Sequence, residues 1–554
     1  MKIKLRLGTE REYREVVIID KKVTLKDIAD EYQSQNEYRF LMAQVNGQDR
    51  ELSEEINEGD RVELLDMRTP SANRAYQNTV SFIYLKAIKD LFRNSKVIIE
   101  NSLSKGLYTE VNINSAVTEE QVRQIEDRMR QIVEEDIPII KEIYTKGDAI
   151  RIWEEDNSPE KASLLEHCRI KEAQFYNMDG YRNFFYGHMV PSTGYIEYFE
   201  VVKHKSGVIL RFPYPTKPDE IPVFEDQKNL YNAFGEAKKW QELLGVSYVD
   251  DLNRKIKEGY AKDLILLSEA LHEKKIAEIA DMITSGKKRI VLIAGPSSSG
   301  KTTFARRLSV QLRVNGVEPL YLGTDDYFVE REDTPLGPDG KPNYEDLEAL
   351  DIELFNDHMN RLLNGEEVDL PEFDFIDGKK VYGKRILSIE PDQPIVIEGI
   401  HALNGKLTEF IDEDEKFKIY ISPLTQLNID VHNRIPTTDA RMLRRIVRDY
   451  KYRGHSAAET IAQWPKVRAG EDKNIFPYSG EADVLFNSAL IYELSVLSKY
   501  ATPLLQEVAP SQPEYSEAAR MLQFIRYFDV IEEDRFVPNN SIMREFIGGS
   551  IFVE

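Results

Sequence analysis

The spacing of hydrophobic positions changes several times along the chain, and those changes divide it. At the start, Ile3, Leu5 and Leu7 alternate with Lys4 and Arg6, and an apolar run over residues 16–19 follows, which predicts paired strands. A short helix is expected near Leu25–Tyr32. Asn46-Gly47 then gives a hairpin signal and residues 58–65 read as a closing strand, so residues 1–67 form one compact unit. Helical and strand patterns alternate from 68 to 222. Residues 223–286 read as a helical connector, with Leu264, Leu267, Leu271, Ile276, Ile279 and Ile283 at core-facing spacing. Between 287 and 510, five apolar runs (289–294, 317–323, 394–399, 416–422 and 482–488) are separated by helical stretches. That alternation predicts a parallel sheet flanked by helices. The tail, 511–554, carries no recognisable motif. The fold class expected is multidomain, α/β in the C-terminal half and α+β before it.

Composition narrows the class. A chain of 554 residues is too long for one core. Its net charge of −23 argues against nonspecific adhesion to nucleic acid or anionic membrane. No apolar run approaches the roughly eighteen residues of a membrane span. The first residues read as a strand rather than a signal peptide. Cys168 is the only cysteine, so no intrachain disulfide can form, and a cytoplasmic location is expected.

The chemistry starts at Gly295-Pro-Ser-Ser-Ser-Gly-Lys-Thr-Thr303, which follows the apolar run 290–294 and precedes a helix bearing Phe304, Leu308 and Leu312 on one face. This is the G-x-x-x-x-G-K-[ST] phosphate loop in its strand–loop–helix setting. Gly295, Ser297, Ser298, Ser299, Gly300, Lys301, Thr302 and Thr303 are the candidate nucleotide-binding residues. Lys301 is expected at the β- and γ-phosphates and the Thr302 hydroxyl on Mg²⁺. A second strand ends at Asp325-Asp326, where a carboxylate can accept the proton of an attacking hydroxyl. A third ends at Glu398, the placement of an acid that holds Mg²⁺ directly or through water. Arg441, Arg445 and Arg448 recur at helical spacing, with Leu443, Val447 and Tyr450 expected on the opposite, packed side. Such arginines can close over a transferring phosphoryl group.

These pieces resemble the uridine kinase and phosphoribulokinase group. The likeness is carried by the phosphate loop, Asp325-Asp-Tyr-Phe328, Asn343-Tyr-Glu345, Ala349-Leu-Asp351, Leu370-Pro-Glu-Phe-Asp-Phe375, Ile397-Glu-Gly-Ile400, Arg444-Arg445, Arg448-Asp449, Arg453-Gly454, Gln463 and Ala482-Asp-Val484. The resemblance implies that Asp325 is the general base toward a 5′-hydroxyl and that Glu345 holds ribose hydroxyls, in place of the family's usual Asp. It implies that Arg445, Arg448 and Arg453 gather phosphates and that Gln463 lies on the acceptor side. Pyrimidine kinases of the group read the base with a tyrosine and a histidine; Phe373 and Gly378 stand in those places. A further arginine position of the group holds His455.

Residues 1–67 resemble the ubiquitin-like TGS domain, through Val45-Asn-Gly47, Arg50-Glu-Leu52 and Gly59-Asp60. Residues 68–222 resemble the editing-type domain of threonyl-tRNA synthetases, through the helix near residues 82–92 and Val190-Pro-Ser-Thr-Gly194. The four His/Cys positions of that editing pocket fall on Asn78, Phe82, Phe185 and Met189, so editing hydrolysis is not expected. The function implied is ATP- and Mg²⁺-dependent phosphorylation of a nucleoside. A kinase for another sugar or sugar phosphate, or an RNA- or tRNA-responsive nucleotide switch acting through the N-terminal half, stands as the alternative. A homo-oligomer stays open.

Overall fold

The computed structural model describes residues 2–553 except 9, 11, 19–21, 114, 169, 338–339 and 426. The alternating start forms β1 (Lys2–Leu7) with Ile3, Leu5 and Leu7 buried, paired antiparallel to β2 (Arg14–Val17). Ile19, in the expected second run, lies outside the described residues. Helix α1 (Leu25–Tyr32) is closed by a capping box on Thr24. Strands β3 (Phe40–Val45) and β4 (Gln48–Glu51) form the hairpin, with Asn46 and Gly47 both at positive φ as a primed turn requires. Strand β5 (Arg61–Asp66) completes the sheet in the order β2-β1-β5-β3-β4.

The next unit opens with α2 (Pro70–Leu91), buried along most of its length. Strands β6 (Lys96–Leu103) and β7 (Gly106–Asn112), helix α3 (Glu119–Glu134), β8 (Ile140–Thr145), α4 (Lys146–Glu155) and α5 (Pro159–His167) follow. Then come β9 (Glu172–Met178), β10 (Tyr181–Phe184), β11 (Glu200–His204) and β12 (Gly207–Arg211). They build two sheets, β11-β12-β7-β6 and β10-β9-β8. The apolar interior of the first unit is continuous with α2, α3 and the β6–β12 sheet.

The connector comprises α6 (Lys228–Leu244), α7 (Val249–Lys257) and α8 (Ala261–Ser285). Leu264, Ile276, Ile279 and Ile283 are buried as the spacing predicts. Leu267 is not: 49% of it is exposed, because α8 packs one stripe on the following sheet and leaves the other in solvent.

All five expected C-terminal strands are present: β13 (Ile290–Ala294), β14 (Leu320–Gly323), β17 (Ile395–Glu398), β18 (Lys416–Ser422) and β19 (Val484–Asn487), with α9 (Lys301–Val314) after the first. They run parallel in the order β14-β17-β13-β18-β19. Their near-continuous apolar sequences match burial on both faces. Helix α10 (Ile352–Leu363) precedes a flap unforeseen from the sequence: β15 (Val368–Asp374) and β16 (Lys379–Leu387), an antiparallel pair outside the main sheet. Charged residues dominate β16 (Lys379, Lys380, Lys384 and Arg385), which hides the strand pattern. Helices α11 (Thr437–Arg453), α12 (Ala457–Asn474) and α13 (Glu493–Gln506) complete this part. The tail is ordered, with α14 (Tyr515–Ile525) and α15 (Arg544–Ile547), and its Met521, Phe524, Ile542 and Phe546 are buried. No helix among the described residues is long and apolar enough to cross a membrane.

Candidate active site

The phosphate loop sits at the C-terminal end of β13, in the crevice where open parallel sheets place ligands. Gly300 has φ +87°, and a Cβ there would stand 2.5 Å from Ile542, so both conformation and space demand glycine. The hydroxyls of Ser298 and Ser299 are buried with no hydrogen-bond partner, the condition of groups that await a ligand. Lys301 folds back on the loop, donating to the Gly295 carbonyl at 3.0 Å. The Thr302 hydroxyl donates to Glu398 Oε1 at 3.0 Å, and Tyr321 donates to the same oxygen at 3.2 Å. One hydroxyl beside one carboxylate is a sparse donor pair, of a kind that fits Mg²⁺ held mainly by phosphates and water. No cluster of three or more His, Cys, Asp or Glu that could hold a metal occurs among the described residues.

Asp325 is the second residue of the short turn after β14 (Thr324–Tyr327) and is open to solvent at the base of the cleft. The protein crowding around it, with the charges of Asp326 and Glu345, pushes its carboxyl up against the opposing pull of Lys301 and Arg453. Asp326 is not equivalent: Arg385 of β16 ties it down at 3.0 Å. Glu345 is raised by burial and by Glu471, while Arg445 and Lys301 oppose the rise. Asp325, Glu345, Glu398, Lys301, Arg445 and Arg453 thus act on one another around one cleft. Two cavities, of about 600 Å³ between α6 and α8 and about 350 Å³ beside the β3–β4 hairpin, lie elsewhere.

The arginine helix differs from its reading as a closing lid. Helix α11 is a core element, with Ala440, Met442, Leu443, Ile446 and Val447 buried. Tyr450, expected on the packed side, is 53% exposed. Arg441 is buried and does not face the cleft: its Nε donates to the Ser297 carbonyl at 3.0 Å, and it pairs with Glu471. Arg444 likewise bonds the Ser488 carbonyl at 2.8 Å and Glu493 at 2.5 Å. These two arginines brace the loop from behind, because its inward carbonyls need donors that the strand and helix do not supply. Arg445, Arg448 and Arg453 are the ones that gather, at 3.1, 3.0 and 3.5 Å from the fully buried carboxylate of Asp449. Arg445 also donates to the Ser297 hydroxyl at 2.7 Å.

Sequence reasoning assigned no role to Glu471, which accepts from the Ser297 N–H at 3.0 Å, or to Asp449 as the hub of the arginines. A charged residue at a buried helical position was the available signal for both. Gln463 stands exposed on α12. Phe373 is 5% exposed and packs on Phe328 and Phe375 with ring centroids 5.6 and 5.1 Å apart. The space at Gly378 is taken by Arg331, whose side chain lies 2.7 Å from where a Cβ would be and donates to the Phe375 carbonyl at 2.6 Å.

In the N-terminal half, Phe82, Phe185 and Met189 are buried, with the two rings 5.6 Å apart, and Asn78 donates to the His188 carbonyl at 3.2 Å. Where a metal pocket would open, there is packed core. The Thr193 hydroxyl of the Val190–Gly194 motif donates to the Ile132 carbonyl at 2.6 Å and accepts from the Ile137 N–H at 2.8 Å, a structural clasp.

A phosphate loop on a parallel five-stranded sheet, with acids at the C-terminal ends of β14 and β17, defines a P-loop fold. Residues 290–493 match the model of the Phosphoribulokinase / Uridine kinase family. Similar proteins include the uridine kinase of Deinococcus deserti, 29% identical over 197 residues that make up 35% of this chain and 86% of that one. The uridine kinase of Anoxybacillus flavithermus is 29% identical over 201 residues, 36% of this chain and 86% of its own. The threonine--tRNA ligase of Caldanaerobacter subterraneus subsp. tengcongensis is 28% identical over 198 residues, 36% of this chain. The chain spans only 30% of that ligase's length. The C-terminal half therefore contains a P-loop kinase domain of the phosphoribulokinase/uridine kinase family, preceded by a part similar to threonine--tRNA ligases.

Proposed function

We infer that the chain is an ATP-dependent kinase that transfers the γ-phosphoryl group to the 5′-hydroxyl of a nucleoside or a related sugar alcohol. The observation that carries this reading is the convergence of Asp325 and Glu345 with Lys301, Arg445 and Arg453 on one cleft beside the phosphate loop. Asp325 takes the proton of the acceptor hydroxyl at its carboxylate; a raised pKa makes it a stronger base than an ordinary aspartate. Glu345 orients the acceptor's neighbouring hydroxyls. Lys301, Arg445, Arg448 and Arg453 neutralise the charge that spreads over the phosphoryl oxygens in the transition state. Thr302 and Glu398 would hold Mg²⁺, which when bound would offset the charge on the phosphates.

A second acceptor class is favoured by a specific observation. Phe373 is locked in an aromatic cluster and Arg331 fills the place at Gly378, so neither of the group's base-reading side chains has a counterpart. A site without those hydrogen-bonding groups loses discrimination for a pyrimidine. The acceptor can then be a different nucleoside, a sugar or a sugar phosphate. The N-terminal half is proposed to bind or regulate rather than to edit, with an RNA as its candidate ligand.

A phosphoryl-transfer screen over nucleosides, sugars and sugar phosphates, run with Asp325→Asn beside the wild type, tests the reading. One acceptor class is expected to be phosphorylated by the wild type only. No transfer to any hydroxyl acceptor would remove the kinase reading.

A further inference from the structure

The tail at first carries no motif, yet it closes around the phosphate loop. Ile542 and Phe546 are fully buried in the same apolar cluster as Val291, Phe304 and Leu308. Ile542 occupies the space beside Gly300. Three anchors hold the segment: the Ser541 hydroxyl donates to Glu269 of α8 at 2.5 Å, Lys451 of α11 donates to the Ile547 carbonyl at 2.7 Å, and the Arg444 guanidinium lies 5.1 Å over the Phe546 ring.

Between these anchors stands Glu545, itself 8% exposed. Its Oε2 accepts from the Thr303 hydroxyl at 2.7 Å and from the Thr303 N–H at 3.4 Å. That N–H belongs to the first turn of α9, where backbone donors have no partner within the helix. Such donors are the ones a phosphate loop turns toward phosphate. An anion of the chain's own therefore sits on donors that a nucleotide needs.

We propose that Glu545 is an internal competitor for the nucleotide's phosphates, a positioning residue through which the C-terminal segment sets nucleotide affinity. Because Ile542 and Phe546 are core residues, the backbone stays in place and only the Glu545 side chain swings away when phosphate binds. The bond from Ser541 to Glu269 links this contact to α8, and so to the connector that leads from the N-terminal half.

The inference rests on nucleotide binding at the loop and is independent of the acceptor. It is tested on the full chain by titration with Mg²⁺ and a non-hydrolysable ATP analogue, and separately with adenosine. Glu545→Gln keeps the shape and an acceptor for Thr303 while removing the charge. The analogue's Kd is expected to fall at least about fivefold, as for loss of one like charge at close range. Adenosine, with no phosphates, should bind unchanged. Glu545→Asp withdraws the carboxylate from Thr303 and should tighten binding by a smaller factor, which keeps the test available if the glutamine variant does not fold. Unchanged or weakened analogue binding in a folded variant would overturn the proposal. A wild-type chain that binds no nucleotide would overturn both it and the kinase reading, whereas binding without a response to Glu545 overturns only this proposal.

Discussion

The cleft of the kinase domain and the filled pocket of the N-terminal half began as similar expectations, since each corresponds to a known kind of site. They diverge in what occupies the middle. In the cleft, Asp325 is open to solvent, buried serine hydroxyls lack partners, and the charges of Lys301 and Arg453 act on the Asp325 carboxylate. In the N-terminal pocket, Phe82, Phe185 and Met189 are buried, with the Phe82 and Phe185 rings 5.6 Å apart. A site that binds a polar ligand stores unsatisfied polar groups; a site converted to packing stores buried apolar surface. Mutation should therefore do opposite things in the two places, lowering activity in one and stability in the other.

The largest expected effect is Asp325→Asn, which should lower turnover by at least about a thousandfold, within the range of a lost general base. Urea unfolding should barely change. Since the Asp325 carboxyl must be ionised to act and lies above its ordinary range, kcat/KM should rise with pH through that raised pKa and fall on its acid side. Phe82→Ala reverses the pattern. It should cost about 3–5 kcal/mol of stability for a buried ring, while nucleotide affinity is kept in the folded fraction.

How much of this was legible in the sequence depends on the range of the contact. The five parallel strands, the β3–β4 hairpin and the loop were readable because local periodicity and a short motif specify them. The helical spacing of α11 showed that arginines share faces but not what those faces meet. Arg441 and Arg444 turned out to satisfy carbonyls about 145 residues earlier in the chain, at Ser297 and Ser298. Glu545 reaches Thr303 across 242 residues, and no local pattern encodes that pairing. The flap was hidden for a different reason: it is a half-exposed pair with charged side chains, without the apolar signature of the buried strands.

Smaller effects sharpen the same contrast where the two halves join. Arg74 of α2, Glu517 and Arg520 of α14 and Asp439 of α11 form one ionic chain, with Glu517 3.2 Å from Arg74 and Arg520 2.7 Å from Asp439. Burial pushes the Glu517 carboxyl up, but Arg520 and Arg74 outweigh it and hold it down at about 2, from an ordinary 4.5. A depressed acid stabilises the fold above its unfolded pKa, and that contribution is lost as pH falls toward the folded value. The stability gap between wild type and Glu517→Gln should be full at neutral pH and narrow between pH 4.5 and about 2, as followed by denaturant midpoints. Least affected should be Gln463→Ala. With Gln463, exposed on α12, proposed on the acceptor side, acceptor KM should rise about two- to tenfold, the net worth of one hydrogen bond, with kcat kept.

The cleft beside the phosphate loop is proposed to transfer a phosphoryl group with Asp325 as base. The direct measurement is paired on one preparation of Asp325→Asn: affinity for a Mg²⁺-bound ATP analogue and rate of transfer to the acceptor found in the screen. The predicted result is near-wild-type affinity with transfer reduced to background. Wild-type transfer rates in that variant would contradict it.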